Sequence, residues 1–501
     1  MKDDQRPVLV GVAQSCIRDA EPASAPDPLR LLEGVARGAA EDSGAGGRAL
    51  RELDTLGIVE VIAWRPKNAP RLLAEKLGVT PRHEILTATG GEIPITLVNE
   101  LARRIAAGKA RVALVAGANA IRTYRRARRA GVKPDWAAGG SGEATLFGVH
   151  KPGSTPLEME YGLRMPPDIY PIFENALRAR RGLDRETHRR RMGALMSRFT
   201  QVAAKNPYAW FPVARSADEL TLPAPDNRMI AVPYTKYLNA VMETDQAAAV
   251  LLMSVGAARE LGVPEDRWVH WWGGAHAEEE AWFPSERPDF AACPALRDAA
   301  TGALAEAGLA LDAIDCIDFY SCFPVAVEMA CEMLGLEEND PRGLTVTGGL
   351  PYAGGPGNNY TLHSLAAMTE RLRARPGAKG LVTGNGWYLT KHAASVWSTL
   401  PREKSGTPPA EPSAAERARR RPLAPVPEAH GSGTVESFTV LFDREGQPAR
   451  GIVLGRTQTG ERFLANTPDD RASLEDFLAS QDVGSVGKLS SHDGHNRFEP
   501  A

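Results

Sequence analysis

The order of strand-like and helix-like stretches constrains this chain more than any other feature of its sequence. Between residues 8 and 117 they alternate as β-α-β-α-β, from the apolar run VLVGVA (residues 8–13) to the run RVALVAG (residues 111–117). GIVEVIAW (residues 57–64) is a predicted strand between them, and PITLVNELARRIAA (residues 94–107) has a strongly amphipathic helical pattern. Short connections between such elements predict an α/β layered domain with a largely parallel sheet.

The same order returns in the second half of the chain. A buried strand pattern at residues 245–254 precedes predicted strands at 268–273, 313–319 and 380–383, with helical patterns over 294–307 and 361–374 between the last three. The two halves therefore look like duplicated units, although no residue-level repeat is visible. We predict an N-terminal half (1–120 plus 231–262), an insertion (121–230), a C-terminal half (263–400), a linker (401–427) and an additional domain (428–501).

The predicted insertion is helical and basic, and we expect it to lie over one face of the sheet. Arginines and lysines cluster at residues 122–133 and again at residues 178–191. Such clusters are usually solvated helix faces. Alternatively, one of them holds a phosphate-bearing ligand, because the arginine fork matches phosphate geometry.

The chain after residue 400 changes character twice. Residues 401–427 are rich in proline, alanine and charge without an apolar period, which predicts a linker. Residues 428–501 contain short strand patterns separated by turn signals, which predict a small β-barrel domain of the OB-like kind. Its charge is mixed and it has no row of aromatic residues for stacking bases, so we expect no nucleic acid partner.

Composition limits the compartment and the partners. The net charge is −3, and no apolar run is long enough to span a membrane. The N-terminal sequence MKDDQRPVLV does not resemble a signal peptide. The five cysteines lack metal-ligand spacing, so we expect no disulfide framework, no bound metal and a cytoplasmic location.

A glycine-rich stretch, residues 345–368, precedes the last predicted helix. Five glycines lie within the ten residues from Gly348 to Gly357, and the helical pattern begins at Tyr360. A helix that starts directly after such a loop directs unpaired N–H groups at whatever fills the loop. The stretch is therefore either an anion-binding loop or a tight connection without chemistry.

Four segments together resemble the thiolase superfamily. They are TATGGEIPITLVNELARRIAAGKARVALVAGANA, NAVMETDQAAAVLL, DFYSCFPVAVEM and GGLPYAGGPGNNY. The chain looks most like bacterial sterol-carrier-protein-type thiolase-like proteins, of the acetyl-CoA acetyltransferase family, that carry an extra C-terminal domain. The resemblance covers about residues 6–398. It implies two similar halves in five layers (αβαβα), a role in lipid metabolism, and CoA or acyl-CoA as ligand or substrate, with no permanently bound cofactor.

The residues that a thiolase uses for catalysis are replaced in this chain. Gly91 stands where the family has its nucleophilic cysteine, and Gly355 stands where it has the histidine that activates this cysteine. Val241 replaces the serine that contacts the CoA pantetheine, and the second catalytic cysteine falls near Val382 or Thr383. An ordinary Claisen reaction needs these groups. The resemblance therefore implies the fold but argues against the usual reaction.

Other residues of the motif loops remain candidates for chemistry. Tyr320 follows a predicted strand and is a candidate proton donor or base, as in CoA-thioester aldolases of the same superfamily; His363 and His392 are candidate pocket bases. Each could instead be an ordinary packed side chain, as could Trp387 and Tyr388, which are candidates to line the pocket. Glycine N–H groups at 91, 354 and 355 could form an oxyanion hole. The predicted ligand-binding residues are Gly91, Ser321, Cys322, Gly354, Gly355 and Asn358.

Three functions remain open from the sequence. The first is an acyl-CoA-handling protein with a thiolase-like acyltransferase fold and no Claisen nucleophile. The second is a CoA-thioester carbon–carbon lyase that uses Tyr320. The third is a non-catalytic acyl-CoA-binding or scaffold protein whose C-terminal domain docks a protein partner.

Overall fold

The computed structural model describes residues 2–19, 25–403, 406–407 and 412–500. No helix among these residues is long and apolar enough to cross a membrane. The elements of the N-terminal half are β1 (Pro7–Cys16), α1 (Pro28–Asp42), α2 (Gly47–Arg51), β2 (Thr55–Ile58), α3 (Ala69–Leu77), β3 (His83–Thr87), α4 (Ile93–Ala106), β4 (Val112–Ala120) and, after the insertion, β8 (Asp245–Ser254) and α10 (Val255–Glu260).

The insertion and the C-terminal half follow in the same notation. The insertion has α5 (Ile121–Arg129), β5 (Thr145–Phe147), α6 (Pro156–Tyr161), α7 (Pro166–Arg180), α8 (Arg185–Ala203), α9 (Ala217–Thr221), β6 (Met229–Ala231) and β7 (Tyr234–Thr235). The C-terminal half has β9 (Val269–Glu278), α11 (Pro294–Ala307), β10 (Cys316–Asp318), α12 (Pro324–Leu334), α13 (Tyr360–Arg373), β11 (Lys379–Gly386) and β12 (Lys391–Ser398).

The two halves repeat one sheet topology, as the alternating pattern predicts. The first half has the neighbour order β1-β8-β4-β2, and the second half has the order β9-β12-β11-β10. In both, the first two pairings are antiparallel and the third is parallel. A short antiparallel pairing of β1 with β9 joins the halves into one ten-stranded sheet.

The prediction of a largely parallel sheet is wrong, because the sheet is mixed. The last strand of each half enters between the first strand and the parallel ones and runs against both neighbours. In the second half this follows from a short connection, since only residues 387–390 separate β11 from β12 and so short a turn can join only antiparallel strands.

Helices α4 and α13 form the middle of the five layers. Their apolar residues, among them Leu97, Leu101, Leu362 and Leu365, share one buried cluster with strands of both halves. Helices α1 and α3 cover the outer face of the first half, and α11 and α12 that of the second. The N-termini of α4 and α13 therefore lie close to the loops that follow the strands. This places the motif loops of the two halves next to each other.

The strand predicted over residues 57–64 is shorter than expected. β2 ends at Ile58, after which the Glu60 N–H donates to the Thr87 hydroxyl (3.0 Å) rather than to a strand carbonyl. Val59, Val61 and Trp64 are buried all the same, which explains the misleading apolar pattern. Residues 60–65, which follow β2, contribute Glu60, Ile62 and Arg65 to the wall of a cavity.

The basic cluster at residues 178–191 is partly buried and partly solvated, since Arg178 is 5% exposed and Arg190 is 72% exposed. Each of its seven arginines is paired with a carboxylate. Arg178 pairs with Asp482 of the C-terminal domain, and Arg181 pairs with Glu328 of α12 at 2.7 Å. The cluster therefore joins the insertion to the rest of the molecule.

The C-terminal domain is a closed five-stranded barrel. After α14 (Ala414–Arg419) it has β13 (Gly431–Phe442), β14 (Pro448–Thr457), β15 (Arg462–Asn466), α15 (Arg471–Ser480), β16 (Val486–His492) and β17 (His495–Pro500). The strand order β13-β14-β15-β17-β16-β13, with a helix between the third and fourth strands, is that of an OB fold. Residues 404–405 and 408–411 of the predicted linker lie outside the described residues.

The barrel packs on the insertion with the surface that OB folds use for ligands, namely the second and third strands. Ile452 and Leu454 of β14 and Leu464 of β15 are buried in the same cluster as Tyr161 and Phe173 of α6 and α7. The hairpin β6–β7 extends the barrel sheet through β13. The insertion thus lies between the barrel and the sheet.

Candidate functional site

A cavity of about 380 Å³ lies where the motif loops of the two halves meet the insertion. Its walls come from the loop before α4, the β10–α12 loop, the glycine-rich stretch, the β11–β12 turn and the start of α7. The lining residues include Glu60, Arg65, Gly90, Gly91, Arg164, Met165, Tyr170, Tyr320, Cys322, Phe323, Gly355, Asn358, Asn385, Trp387 and Tyr388.

The Tyr320 side chain occupies the space next to Gly91. A Cβ atom added at Gly91 would lie 2.3 Å from the Tyr320 hydroxyl oxygen and 2.6 Å from the Asn385 carbonyl oxygen. The Tyr320 N–H donates to the Thr383 hydroxyl (2.9 Å), and its ring packs edge-on against Tyr360 at 5.4 Å. No side chain fits at position 91 while Tyr320 stands there.

Tyr320 is a neutral phenol in this environment. Burial raises its pKa well above the ordinary value, and the nearby Cys322, Tyr360 and Glu92 raise it further. A phenol with a raised pKa can donate a hydrogen bond or a proton to a substrate oxygen or carbanion. It is a poor base at neutral pH.

Side chains of the C-terminal half hold the loop of the N-terminal half that carries Gly91. The Gly90 N–H donates to Asn358 Oδ1 (3.0 Å), and the Thr361 hydroxyl donates to the Gly91 carbonyl (3.0 Å). Lys391 Nζ donates to the Thr89 carbonyl (2.9 Å). Asn358, a predicted ligand-binding residue, therefore lines the cavity and also fixes the backbone opposite Tyr320.

A buried ion pair lies directly behind this loop. Lys391 Nζ is 2.7 Å from Glu92 Oε1, and both side chains are at most 5% exposed. Burial raises the pKa of Glu92, and the Lys391 charge opposes that shift. A Cβ at Gly90 or Gly386 would lie within 2.3 Å of Glu92 Oε2, so these two glycines make room for the carboxylate.

Cys322 lines the cavity but is not a thiolate. Burial raises its pKa to about 12, against the smaller effect of hydrogen bonding with Tyr170. Asn385 Nδ2 lies 3.8 Å from its sulfur and donates to the Tyr170 hydroxyl at 2.8 Å. At neutral pH the thiol stays protonated, which makes it a weak nucleophile.

The remaining predicted ligand-binding residues differ in position. Gly355 lines the cavity, but its N–H donates to the Val241 carbonyl (2.8 Å) and is not available as an oxyanion donor. Gly354, at φ 106°, does not line the cavity, and a Cβ there would lie 2.2 Å from Gln246 Oε1. Ser321 is fully buried beside Gly349. The glycine-rich stretch therefore shapes the wall mainly by close packing.

The structure does not bring His363 or His392 to the cavity. His363 Nδ1 is 2.9 Å from Gln14 Oε1, and His392 Nε2 is 3.2 Å from the Cys293 sulfur. Burial lowers the pKa of each to about 3. Both histidines are neutral and lie within the packed protein.

The insertion supplies a wall that sequence reasoning missed. Tyr170 stacks on Phe323 with ring centroids 4.3 Å apart, and its hydroxyl donates to the Trp387 carbonyl (3.0 Å). Arg164 and Met165 stand at the mouth with Arg65, whose side chain is 73% exposed. These contacts join segments that are distant in sequence, so no local pattern could have indicated them.

The β11–β12 turn is held in an uncommon backbone conformation at the cavity. Trp387 and Leu389 have φ angles of 54° and 56°, a region that non-glycine residues rarely occupy. Arg287, 2% exposed, donates to the Leu389 carbonyl (2.8 Å) and supports the turn. Trp387 and Tyr388, candidate pocket residues from the sequence, both line the cavity.

Comparisons with known proteins agree with this architecture. The family model of the thiolase-like protein type 1 additional C-terminal domain matches residues 420–494. The crystal structure of a monomeric SCP2-thiolase-like protein type 1 from Mycobacterium smegmatis is 34% identical and superposes with a TM-score of 0.83, covering 100% of both chains. No curated protein matches by sequence.

A more distant solved structure shows the same fold. The acetyl-CoA acetyltransferase from Syntrophomonas wolfei is 18% identical and has a TM-score of 0.57. The match covers 79% of this chain and 99% of that enzyme. The two-half arrangement is therefore that of a thiolase, and the part without a counterpart there amounts to about a fifth of the chain.

Proposed function

The chain belongs to the SCP2-thiolase-like proteins of type 1, and from this premise we propose that its cavity binds an acyl-CoA thioester on which Tyr320 acts as a proton donor. The proposal rests mainly on one observation, that the Tyr320 hydroxyl fills the space beside Gly91. A phenol there meets the reacting part of a bound thioester in place of a thiolate. Acyl transfer through a covalent cysteine intermediate has no nucleophile at this position.

The shape and charge of the cavity support a thioester ligand. Arg65 and Arg164 at the mouth suit the phosphates of coenzyme A, because guanidinium groups bind phosphate with two donors. The inner wall of Tyr170, Phe323 and Trp387 suits an apolar acyl group.

The reaction that suits a proton donor without a nucleophile is carbon–carbon cleavage of a β-hydroxyacyl thioester. In one concerted step the Cα–Cβ bond breaks, its electron pair takes the Tyr320 proton at Cα, and the β-hydroxyl becomes a carbonyl. The Tyr320 phenolate formed in this way takes the proton that the β-hydroxyl releases. The products are a shorter acyl-CoA and an aldehyde or ketone, and the step needs no other reactant.

A second candidate is binding of acyl-CoA without turnover. It is favoured by the position of His363 and His392, which lie outside the cavity, so that no histidine among the described residues lines it as a base for a substrate hydroxyl. In this case thioesters bind and no product forms.

The test is a panel of β-hydroxyacyl-CoA esters, with products followed by mass spectrometry and binding followed by the rise in melting temperature. We expect Tyr320→Phe to lower cleavage by about 100-fold or more, as for loss of a general acid, while thioesters still raise its melting temperature. Tyr352→Phe is the control, because Tyr352 is a buried tyrosine whose hydroxyl has no hydrogen-bond partner among the described residues and which lies outside the cavity lining.

Different outcomes contradict different parts of the proposal. If Tyr320→Phe cleaves the thioester at the wild-type rate, the phenol is not the proton donor. Binding without cleavage in the wild-type protein leaves the second candidate. A panel in which no CoA ester changes the melting temperature rules out both.

A further inference from the structure

A buried cluster of potential metal ligands lies one helical turn behind the cavity wall. Glu174 is on α7, His188 on α8 and Glu328 on α12, and one donor atom of each lies within 4.8 Å of the others. Their side chains are at most 1% exposed. We propose that these three residues bind a divalent first-row transition-metal ion such as Zn²⁺ or Mn²⁺.

The donor set fits such an ion. His188 Nε2 and Glu174 Oε1 are 2.6 Å apart, so a small outward shift of the two side chains admits an ion between them. One imidazole and two carboxylates are ligands that Zn²⁺ and Mn²⁺ accept. The Tyr234 hydroxyl donates to the other Glu174 oxygen at 2.5 Å, which is the kind of outer hydrogen bond that orients a ligating carboxylate.

One ligand oxygen is unpartnered. Glu328 Oε2 accepts from Arg181 at 2.7 Å, but Glu328 Oε1 is buried without a hydrogen-bond partner among the residues that the structure describes. A fully buried carboxylate oxygen in this state is costly unless something binds it. A metal ion satisfies it directly.

The charge balance also favours a cation. The Arg181 guanidinium is shared among Glu328, Glu332 and Glu338, at 2.7, 3.3 and 2.9 Å. Glu174 and Glu328 are both fully buried, and a donor oxygen of each lies within 4.8 Å of the other. Two buried carboxylates this close need compensation from either protons or a cation.

The ion would have a structural role, because none of its ligands lines the cavity. Tyr170 precedes Glu174 by one turn of α7, and Phe323 immediately precedes α12, which carries Glu328. The ion would therefore link α7 and α12 next to the Tyr170–Phe323 stack in the cavity wall, where the ring centroids are 4.3 Å apart. This inference does not depend on the proposed reaction.

The experiment is elemental analysis of the full-length protein, purified without chelator. We expect about one equivalent of a first-row metal per chain, as in structural sites. Removing it with dipicolinate should lower the melting temperature, and adding Zn²⁺ or Mn²⁺ should restore it. His188→Gln should lose the metal, whereas Glu338→Gln, which removes another Arg181 partner, should keep it.

Two results overturn the proposal. One is a native protein with no first-row metal above background and no rise in melting temperature when Zn²⁺ or Mn²⁺ is added. The other is full metal content in His188→Gln. The first result can be obtained on the wild-type chain alone, so the test does not depend on whether a variant folds.

Discussion

Gly91 and Tyr320 share one space, and only one of the two positions can carry a side chain into it. The Tyr320 hydroxyl stands 2.3 Å from where a Cβ at Gly91 would be. The glycine at one position and the phenol at the other are therefore coupled. A cysteine introduced at position 91 alone would clash with the Tyr320 hydroxyl.

We predict that Gly91→Ala destabilises the protein by about 1–3 kcal/mol, the cost of overpacking a filled site. Chemical denaturation measures the change in the free energy of unfolding. The control is Gly34→Ala, on the exposed face of α1 with no atom near the added Cβ, which should be neutral or stabilising. Equal effects of the two changes would show that the space beside Gly91 is free.

The buried histidines make a prediction about pH. Burial lowers the pKa of His363 to about 3, so the folded state binds fewer protons than the unfolded state at pH values below the unfolded pKa of about 6.5. His363 therefore costs stability as the pH falls through this range. Between pH 7 and pH 5 its contribution should fall by about 2 kcal/mol.

His363→Gln should remove this part of the pH dependence. When the pH is lowered from 7 to 5, we expect the free energy of unfolding of the wild type to fall by about 2 kcal/mol more than that of the variant. Urea unfolding at each pH measures both. His83→Gln, at an exposed histidine, is the control and should leave the difference constant. A constant difference for His363→Gln would mean that His363 takes up its proton over the same pH range in the folded and unfolded states.

At the scale of elements, the C-terminal barrel holds the insertion in place. Tyr161 of α6 stacks on His495 of β17 at 4.3 Å, and its hydroxyl accepts from the Asn496 N–H at 2.7 Å. Asn175 of α7 donates to the Phe438 carbonyl of β13 at 2.9 Å. Arg164 and Tyr170, which line the cavity, lie on the segment between these two attachments.

We predict that Tyr161→Phe lowers the free energy of unfolding by about 1–3 kcal/mol, because it leaves the buried Asn496 N–H without its acceptor. Tyr124→Phe, at a tyrosine that is 37% exposed, should change stability much less. Thermal or chemical unfolding compares the two. Equal stability of the two variants would indicate that this contact contributes nothing to the attachment.

Regular elements were predictable from the sequence where pattern and local signals agree. The helix predicted over residues 294–307 matches α11, which starts at a proline and ends before Gly308 at φ 71°. The sequence predicts that β2 extends to residue 64, which is too far. Val59, Val61 and Trp64 are buried in a loop, and their apolar pattern is the one expected of a buried strand. The direction of β8 was not predictable either, since it depends on how the whole sheet assembles.

The sequence predicts only those residues of the site that lie in a recognisable motif. Tyr320, Cys322 and Asn358 follow from the motif loops and all line the cavity. Tyr170 and Arg164 lie on the insertion, and their approach to Tyr320 is set by packing of the insertion against the barrel. His363 and His392 lie close to motif loops in sequence, but each has a buried partner elsewhere, Gln14 and Cys293.

At the scale of the whole molecule, the barrel and the two halves share one core. Ile452, Leu454 and Leu464 of the barrel belong to the same buried cluster as Phe173 of the insertion and Phe319 beside the cavity. Separating the domains would expose this surface to water. Folding of the barrel and formation of the cavity should therefore be coupled.

We predict a single unfolding transition for the full chain. Calorimetry and tryptophan fluorescence should report the same midpoint, because the tryptophans lie outside the barrel and the shared core links it to them. A separate low-temperature transition that removes only the barrel would show that the cavity wall stands without it.

The central claim is that this thiolase fold has a phenol where the covalent nucleophile would be. Intact-protein mass spectrometry after incubation with acetyl-CoA and acetoacetyl-CoA tests it most directly. The account predicts the unmodified mass and unchanged acetoacetyl-CoA, since Gly91 has no side chain and the pKa of Cys322 is about 12. An acetyl adduct mapped to a cavity cysteine, with thiolysis of acetoacetyl-CoA, would contradict it.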